Sequence, residues 1–185
     1  MAPLEPHSQR LVWHVRPARA GDWPAIEATH RAAISSPVGP ALSAREQAAW
    51  LTMPTTGLRA VIGLSEGACV VGVAACGVAA CGAAACADTG VAGYAWASAG
   101  ARPHLRGLYV EPGARRQGLG RALLQAVERR LFEQGASELF IAAAQGAVDF
   151  YRHCGYAIDC EFILPLRDDE GLVALRLRKM WKPLA

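Results

Sequence analysis

Charge is thin in this chain: 19% of its 185 residues are Asp, Glu, Lys or Arg, and the formal net charge is only +3 at pH 7. The basic excess of a dedicated nucleic-acid binder is therefore missing, and bulk charge points to no nucleic-acid partner. The opening residues also lack the apolar run of a secretory leader. Met1 to Arg10 mix Pro3, Glu5, Pro6 and His7 and read as a flexible lead-in, with one domain expected over 11–185. Without a leader, the six cysteines read as reduced thiols and not as a disulfide framework, which places the chain in the cytoplasm. Long leucine and isoleucine runs are missing too. The longest weakly charged stretch, Gly67 to Ala101, contains neither residue, holds seven glycines and is broken by Asp88; a membrane helix needs about 20 strongly apolar residues, so no membrane span is expected. What remains is 52% apolar content, enough for a sizeable globular core.

Leu11, Trp13 and Val15 alternate with Val12, His14 and Arg16 up to Pro17, which predicts a first strand. A helix should start at Asp22, whose carboxylate can accept first-turn N–H groups, with Pro24 tolerated there and Ile26, Ala33 and Ile34 facing the core, and end by Pro37. Ser43-Ala44-Arg45-Glu46 is a capping box opening a second helix toward Trp50 and Leu51, closed by Pro54 and Gly57. Ala68 to Ala75 and Val91 to Ala97 read as strands. Between them a pentad recurs: Gly72 to Cys76, Gly77 to Cys81, Gly82 to Cys86. Three such short units cannot make a solenoid, so the segment near 72–90 reads as an enlarged hairpin. Its four-residue gaps fit only the outer edge of zinc-ligand spacing, and a five-residue step along a strand alternates faces, so no metal site is expected.

His104 to Val110 reads as a strand ending at Pro112. Leu119, Ala122, Leu123, Ala126, Val127 and Leu131 mark one stripe of a helix that stops at Gly135. Leu139 to Ala143 is the next strand, so His104 to Ala143 forms a strand–helix–strand unit, expected parallel and right-handed. A short helix over Ala147 to Cys154 and two strands, Tyr156 to Leu164 and Leu172 to Met180, joined by a polar turn through Asp168 to Gly171, complete an α/β chain with a mixed sheet.

Arg115-Arg116-Gln117-Gly118-Leu119-Gly120 lies between a strand end and a helix start, where N–H groups without intrahelical partners and the positive end of the helix dipole attract anions. Glycines at 118 and 120 let phosphate oxygens approach the amides, and the arginines add charge. A Walker loop is excluded because no Lys-Ser/Thr follows its last glycine, and the dinucleotide fingerprint because Leu123 stands at its third glycine.

The hexad resembles motif A of the GCN5-related N-acetyltransferase (GNAT) family, Q/R-x-x-G-x-G/A, after a Leu-Tyr-Val-x-Pro strand (Leu108 to Pro112) and before a Phe150-Tyr151-x-x-x-Gly155-Tyr156 segment similar to that family's later motif. The resemblance spans about Leu11 to Leu184. It implies a mixed, mostly antiparallel sheet with splayed central parallel strands and flanking helices, and acetyl-CoA as cosubstrate. Carried over, Arg115 and the stretch from Arg116 through Gln117, Gly118, Leu119 and Gly120 to Arg121 bind the pyrophosphate. The strand around Tyr109 and Val110 pairs with the pantetheine arm, the Leu108 N–H polarises the thioester carbonyl, and Tyr151 protonates the departing thiolate. His104, four residues before Leu108 where histone-type members place a glutamate, is the candidate base, with Glu111 second. Gly146 departs from an asparagine common in the family. Cys154 reads as a packing residue because no activating base accompanies it. The implied partner is an amine, on a small molecule or a peptide, and a homodimer is compatible with this reading. A non-catalytic acyl-CoA sensor or structural module on the same fold is the alternative; Tyr151 beside an intact loop favours the enzyme.

Overall fold

The computed structural model describes residues 12–36, 42–51, 68–74, 90–100 and 102–185. Seven strands form one sheet in the order β1-β2-β3-β4-β5-β7-β6, with β1 Trp13–Pro17, β2 Ala68–Ala74, β3 Val91–Ala97, β4 His104–Val110, β5 Glu138–Ala144, β6 Ala157–Asp168 and β7 Gly171–Pro183. Among the described residues four helices accompany it: α1 Trp23–Ser35, α2 Ala44–Leu51, α3 Leu119–Glu133 and α4 Val148–His153. Every strand pair is antiparallel except β4 with β5, so the expected parallel strand–helix–strand unit is present. The lead-in, Leu11, Pro54, Gly57 and the pentads beyond Ala74 lie outside the described residues. Strands β2 and β3 pair antiparallel, with Val73 opposite Val91.

Local chemistry accounts for most of the helix ends. In the α2 capping box the Ser43 N–H donates to Glu46 Oε2 at 2.7 Å and the Glu46 N–H to Ser43 Oγ at 3.2 Å, satisfying two first-turn donors reciprocally. At the end of α3, Gly135 takes φ +89°. The Ala136 N–H bonds to the Leu131 carbonyl and the Gly135 N–H to Phe132, which is a Schellman motif. One expectation needs correction. Asp22 does not cap α1; residues Ala20–Asp22 form a 3-10 turn, and the carboxylate accepts both arms of the Arg16 guanidinium at 2.7 and 2.8 Å and the Arg19 N–H at 2.7 Å. The Arg16 hydrogen bonds hold its pKa below the usual carboxylate range despite burial, and the pair ties β1 to the entrance of α1.

The sheet buries both faces. On one, Leu119, Leu123, Leu124, Val127 and Leu131 of α3 pack against Val70, Ala95, Leu105, Ile141 and Met180. On the other, Ile26 of α1 meets Cys69, Val71 and Tyr94, and Ala49 of α2 meets Leu166, Leu175 and Leu177. The N-terminal turn of α3 sits so close to β2 and β3 that glycine is required beneath it. A Cβ on Gly93 would lie 3.0 Å from Leu123 Cδ1, 3.0 Å from the Tyr109 carbonyl oxygen and 3.1 Å from Leu119 Cδ2. Because both leucines are buried and the carbonyl belongs to β4, Gly93→Ala is expected to cost about 1–3 kcal/mol of stability. A thermal melt should read this as a midpoint lower by several degrees. An unchanged midpoint would show that α3 can lift from the sheet without cost.

Candidate active site

Strands β4 and β5 pair only at their beginnings, His104 opposite Phe140 and Leu105 opposite Ile141. Farther along, β4 stays with β3 and β5 stays with β7, so the two parallel strands separate toward their C-terminal ends. The opening belongs to a cleft of about 960 Å³. Its walls come from both faces of the sheet: β4 and the loop before α3, Gln145 to Ala147 and α4, Ile34 and Trp50 from α1 and α2, and Arg176 and Arg178 from β7.

The β4 wall turns peptide groups away from β3. The Glu111 N–H bonds to the Ala92 carbonyl at 2.8 Å, and antiparallel pairing alternates along a strand. With Tyr109 opposite Tyr94 and Val110 opposite Gly93, the peptides of Tyr109 and Glu111 turn to β3, while those of Leu108 and Val110 turn to the opening.

At the end of β4 the backbone enters the left-handed region twice, at Arg116 (φ 62°) and at Gly118 (φ 84°), which is the N-cap of α3. An arginine in that conformation costs about 1–2 kcal/mol and is an outlier of the kind found where backbone amides are aimed at a ligand. The first bond of α3 runs from the Ala122 N–H to the Gly118 carbonyl, so the N–H groups of Leu119, Gly120 and Arg121 have no partner within the helix. A Cβ at Gly118 would meet nothing within 4 Å; its absence keeps the amides open. The loop is pinned from outside by Trp13 Nε1 donating to the Gln117 carbonyl at 3.0 Å and Gln117 Nε2 donating to the Gly113 carbonyl at 2.9 Å. Arg116 and Arg121 line the cleft. Arg115 lines it as well, but its guanidinium is held elsewhere: Nε donates to the Val110 carbonyl at 3.2 Å, Nη2 to the Ala33 carbonyl at 3.1 Å and Nη1 to the Ser36 carbonyl. Arg115 thus joins the negative C-terminal end of α1 to the β4 end, and contributes to the loop by holding it.

Tyr151 stands on the α4 wall, 7% exposed. The second motif explains its placement. Gly155 takes φ +92°, the Tyr156 N–H bonds back to the Tyr151 carbonyl and the Gly155 N–H to Arg152, closing α4 one turn after Tyr151. Phe150 and Tyr156 pack edge-on against its ring at 5.0 and 5.7 Å. Burial, reinforced by Tyr109 and Cys154, pushes the Tyr151 phenol above the usual tyrosine range. Tyr109 shares the cleft and has its pKa pushed up to about 12 by burial. Behind it, His30 Nδ1 lies 2.7 Å from the Tyr94 hydroxyl, with the His30 ring edge-on to Tyr109 at 4.5 Å.

The structure therefore brings Leu108, Tyr109, Val110, Arg116, Gly118, Gly120, Arg121 and Tyr151 around one opening. Leu119 is instead a core residue, 1% exposed, and Gln117 a brace, so their contributions to the loop are backbone N–H groups. His104 is not brought in. It sits at the closed end of β4, stacked on Phe140 at 5.4 Å, where the two parallel strands still pair, and it is not among the cleft-lining residues. Burial and the nearby Arg106 and Lys179 disfavour its charged form. Glu111 is exposed and also outside the cleft. Cys154 has its thiol pKa raised by burial, which suits packing and not nucleophilic chemistry. Gly146 lines the cleft, without the amide side chain an asparagine would bring. Among the described residues no three potential metal ligands cluster, and no helix is long and apolar enough to cross a membrane.

Sequence reasoning did not find the side chains contributed by Arg106, Glu161, Arg176 and Arg178. Glu46 and Trp50 of α2 also line the cleft; the sequence marks Glu46 as part of a capping box.

The family model described as "Acetyltransferase (GNAT) family" matches residues 26–156, well over half of the chain, and the chain belongs to that family of acetyltransferases. Its fold is similar to that of a GCN5-related N-acetyltransferase from Rhodopseudomonas palustris (TM-score 0.73, 21% identity, covering 96% of this chain and 99% of that one). It is also similar to the PaiA N-acetyltransferase from Thermoplasma acidophilum in complex with coenzyme A (0.68, 16%, 94% and 99%). A third likeness is to a phosphinothricin acetyltransferase from Sinorhizobium meliloti in complex with acetyl-CoA (0.65, 22%, 94% and 89%). No curated protein matches the sequence.

Proposed function

We propose that this chain transfers the acetyl group of acetyl-CoA to a primary amine, on a small molecule or a peptide, by direct attack. The observation that carries the reading is the opening between β4 and β5, which joins the amide-lined 116–121 loop to Tyr151 in one cleft. The residues present fit the cosubstrate. The amides at the start of α3, with Arg116 and Arg121, suit a pyrophosphate, and the open space at Gly118 admits its oxygens. The Leu108 peptide and the Val110 N–H, turned away from β3, offer an extended arm the hydrogen bonds of a further strand, while the Val110 carbonyl already accepts from Arg115.

When bound, acetyl-CoA supplies an acyl group already activated as a thioester. The Leu108 N–H is the donor toward the carbonyl oxygen as negative charge develops there. The neutral acceptor nitrogen forms its bond to the acetyl carbon while the carbon–sulfur bond breaks, and Tyr151 Oη gives its proton to the departing sulfur. Burial supports this role because it keeps Tyr151 protonated throughout the neutral range. The incoming ammonium must first lose a proton. His104 and Glu111 do not line the cleft, so water entering with the acceptor carries that proton to solvent, and the second proton, which the nitrogen sheds as the amide forms, passes through water to the Tyr151 phenolate and restores it.

The test combines coenzyme A titration calorimetry with release of free thiol from acetyl-CoA in the presence of pooled primary amines. Binding together with amine-dependent thiol release is expected. Binding with no release under any amine would assign the chain to a non-catalytic acyl-CoA module, and absence of binding would remove the reading altogether.

A further inference from the structure

Among the described residues the cleft is lined by two carboxylates, Glu46 and Glu161, and both are engaged. Glu46 accepts from both the Ser43 N–H and Ser43 Oγ at 2.7 Å, and Glu161 lies 3.3 Å from Arg178. Positive charge is more abundant and stands on both sides of the opening. Arg116 and Arg121 belong to the loop; Arg106 comes from β4, and Arg176 and Arg178 from β7. Among the described residues Arg106 and Arg176 have no ion-pair partner.

The sheet explains how these arginines reach the site. Strand β7 is bonded to the edge of β5 remote from β4, with Arg178 opposite Ala143 and Leu177 opposite Ala144, the last residue of β5. Arg176 lies one residue beyond that pairing, opposite Ile163 of β6, and so sits where β5 has ended and the cleft is open. Arg106 is the extra residue of a bulge, since Leu105 pairs with Ala97 and Gly107 with Trp96; bulges re-aim a side chain at the margin of a site. These cations come from β4 and β7 and not from the loop proposed for the pyrophosphate.

Resting on the transferase reading above, we infer that the acceptor is a small amine that also carries an oxyanion, in the simplest case the carboxylate of an amino acid, bound by Arg176 and Arg106 with Arg178 beside them. A guanidinium presents a planar pair of N–H donors that matches a carboxylate, and uncompensated positive charge in a partly enclosed cleft draws anions in. A polycationic amine meets the opposite situation, like charges and, among the described residues, no free carboxylate.

Free amino acids and their carboxamides, assayed as matched pairs by thiol release from acetyl-CoA, test the inference. The free acids are expected to show kcat/KM about 10-fold or more above the amides, and Arg176→Ala to reduce that preference about 10-fold, the size of a charge-assisted contact. Arg106→Ala should act in the same direction, so the outcome does not hang on one variant's folding. Coenzyme A and 3′-dephospho-coenzyme A titrated into wild type and Arg176→Ala separate the other source of an oxyanion. Loss of the discrimination between those two nucleotides in the variant would assign Arg176 to the cosubstrate's phosphate and overturn the inference. Amides acetylated as well as acids would overturn it while leaving the transferase reading intact. Thiol release with no amine at all would overturn both.

Discussion

Gly120→Glu is expected to reduce coenzyme A affinity about 10³-fold in a protein that still folds. Like charges about 4 Å apart repel by about 4 kcal/mol at an effective dielectric near 20, and each 1.4 kcal/mol is a factor of ten. The fold should survive for two reasons. A Cβ at position 120 makes only ordinary contact, 3.5 Å from the Phe150 ring and 3.7 Å from Val110 Cγ2. Position 120 is also in the first turn of α3, where a glutamate replaces a poor helix former and complements the helix dipole. The variant should therefore melt no lower than wild type while failing to bind, a combination that unfolding cannot produce. Calorimetry with coenzyme A, paired with a thermal melt, reads both. Unchanged affinity would place the pyrophosphate elsewhere and remove the basis of the proposed cosubstrate site.

Tyr151→Phe is expected to lower kcat by about 10²-fold or more with coenzyme A affinity changed by no more than about twofold. The phenylalanine ring can keep the edge-on contacts with Phe150 and Tyr156, so the substitution removes a proton donor and little packing. The pH dependence adds a second reading. Burial shifts the Tyr151 pKa upward from an ordinary value of 10.0, so the acid form persists and wild-type activity should show no falling limb from this residue below about pH 10. Steady-state kinetics across pH with one acceptor checks both statements. Equal turnover of the two proteins would make Tyr151 a packing residue.

Much of the scaffold was legible because the signals are local. The α3 stripe is a 3.6-residue period, Gly135 ends the helix through a left-handed residue, and Ser43 with Glu46 caps α2 through partners three positions apart. Motif A was legible for the same reason: a turn that leaves its amides outside the helix is made by consecutive residues, and its glycines and arginines stand in one hexad. Asp22 shows where locality misleads. Its position suits a cap, yet the Arg16 guanidinium, approaching from β1, offers two charge-assisted bonds against the neutral N–H groups of a helix turn, and the stronger partner takes the carboxylate. Arg115 behaves alike, turning from the loop to the carbonyl end of α1, about 80 positions earlier (|i−j| 79 and 82).

From the sequence alone came the strand–helix–strand unit, the amide-rich loop, the short helix that carries Tyr151 and, through them, the family. Only the tertiary structure decided where β4 and β5 part, which side chains from other elements reach that opening, and that His104 does not. Those facts depend on sheet order and register. Arg176 becomes a neighbour of the site because β7 is inserted between β5 and β6, and His104 is kept from it because the parallel strands separate two pairs after they begin. No period, cap or turn preference encodes which strand pairs with which; that is settled when distant apolar faces are buried together.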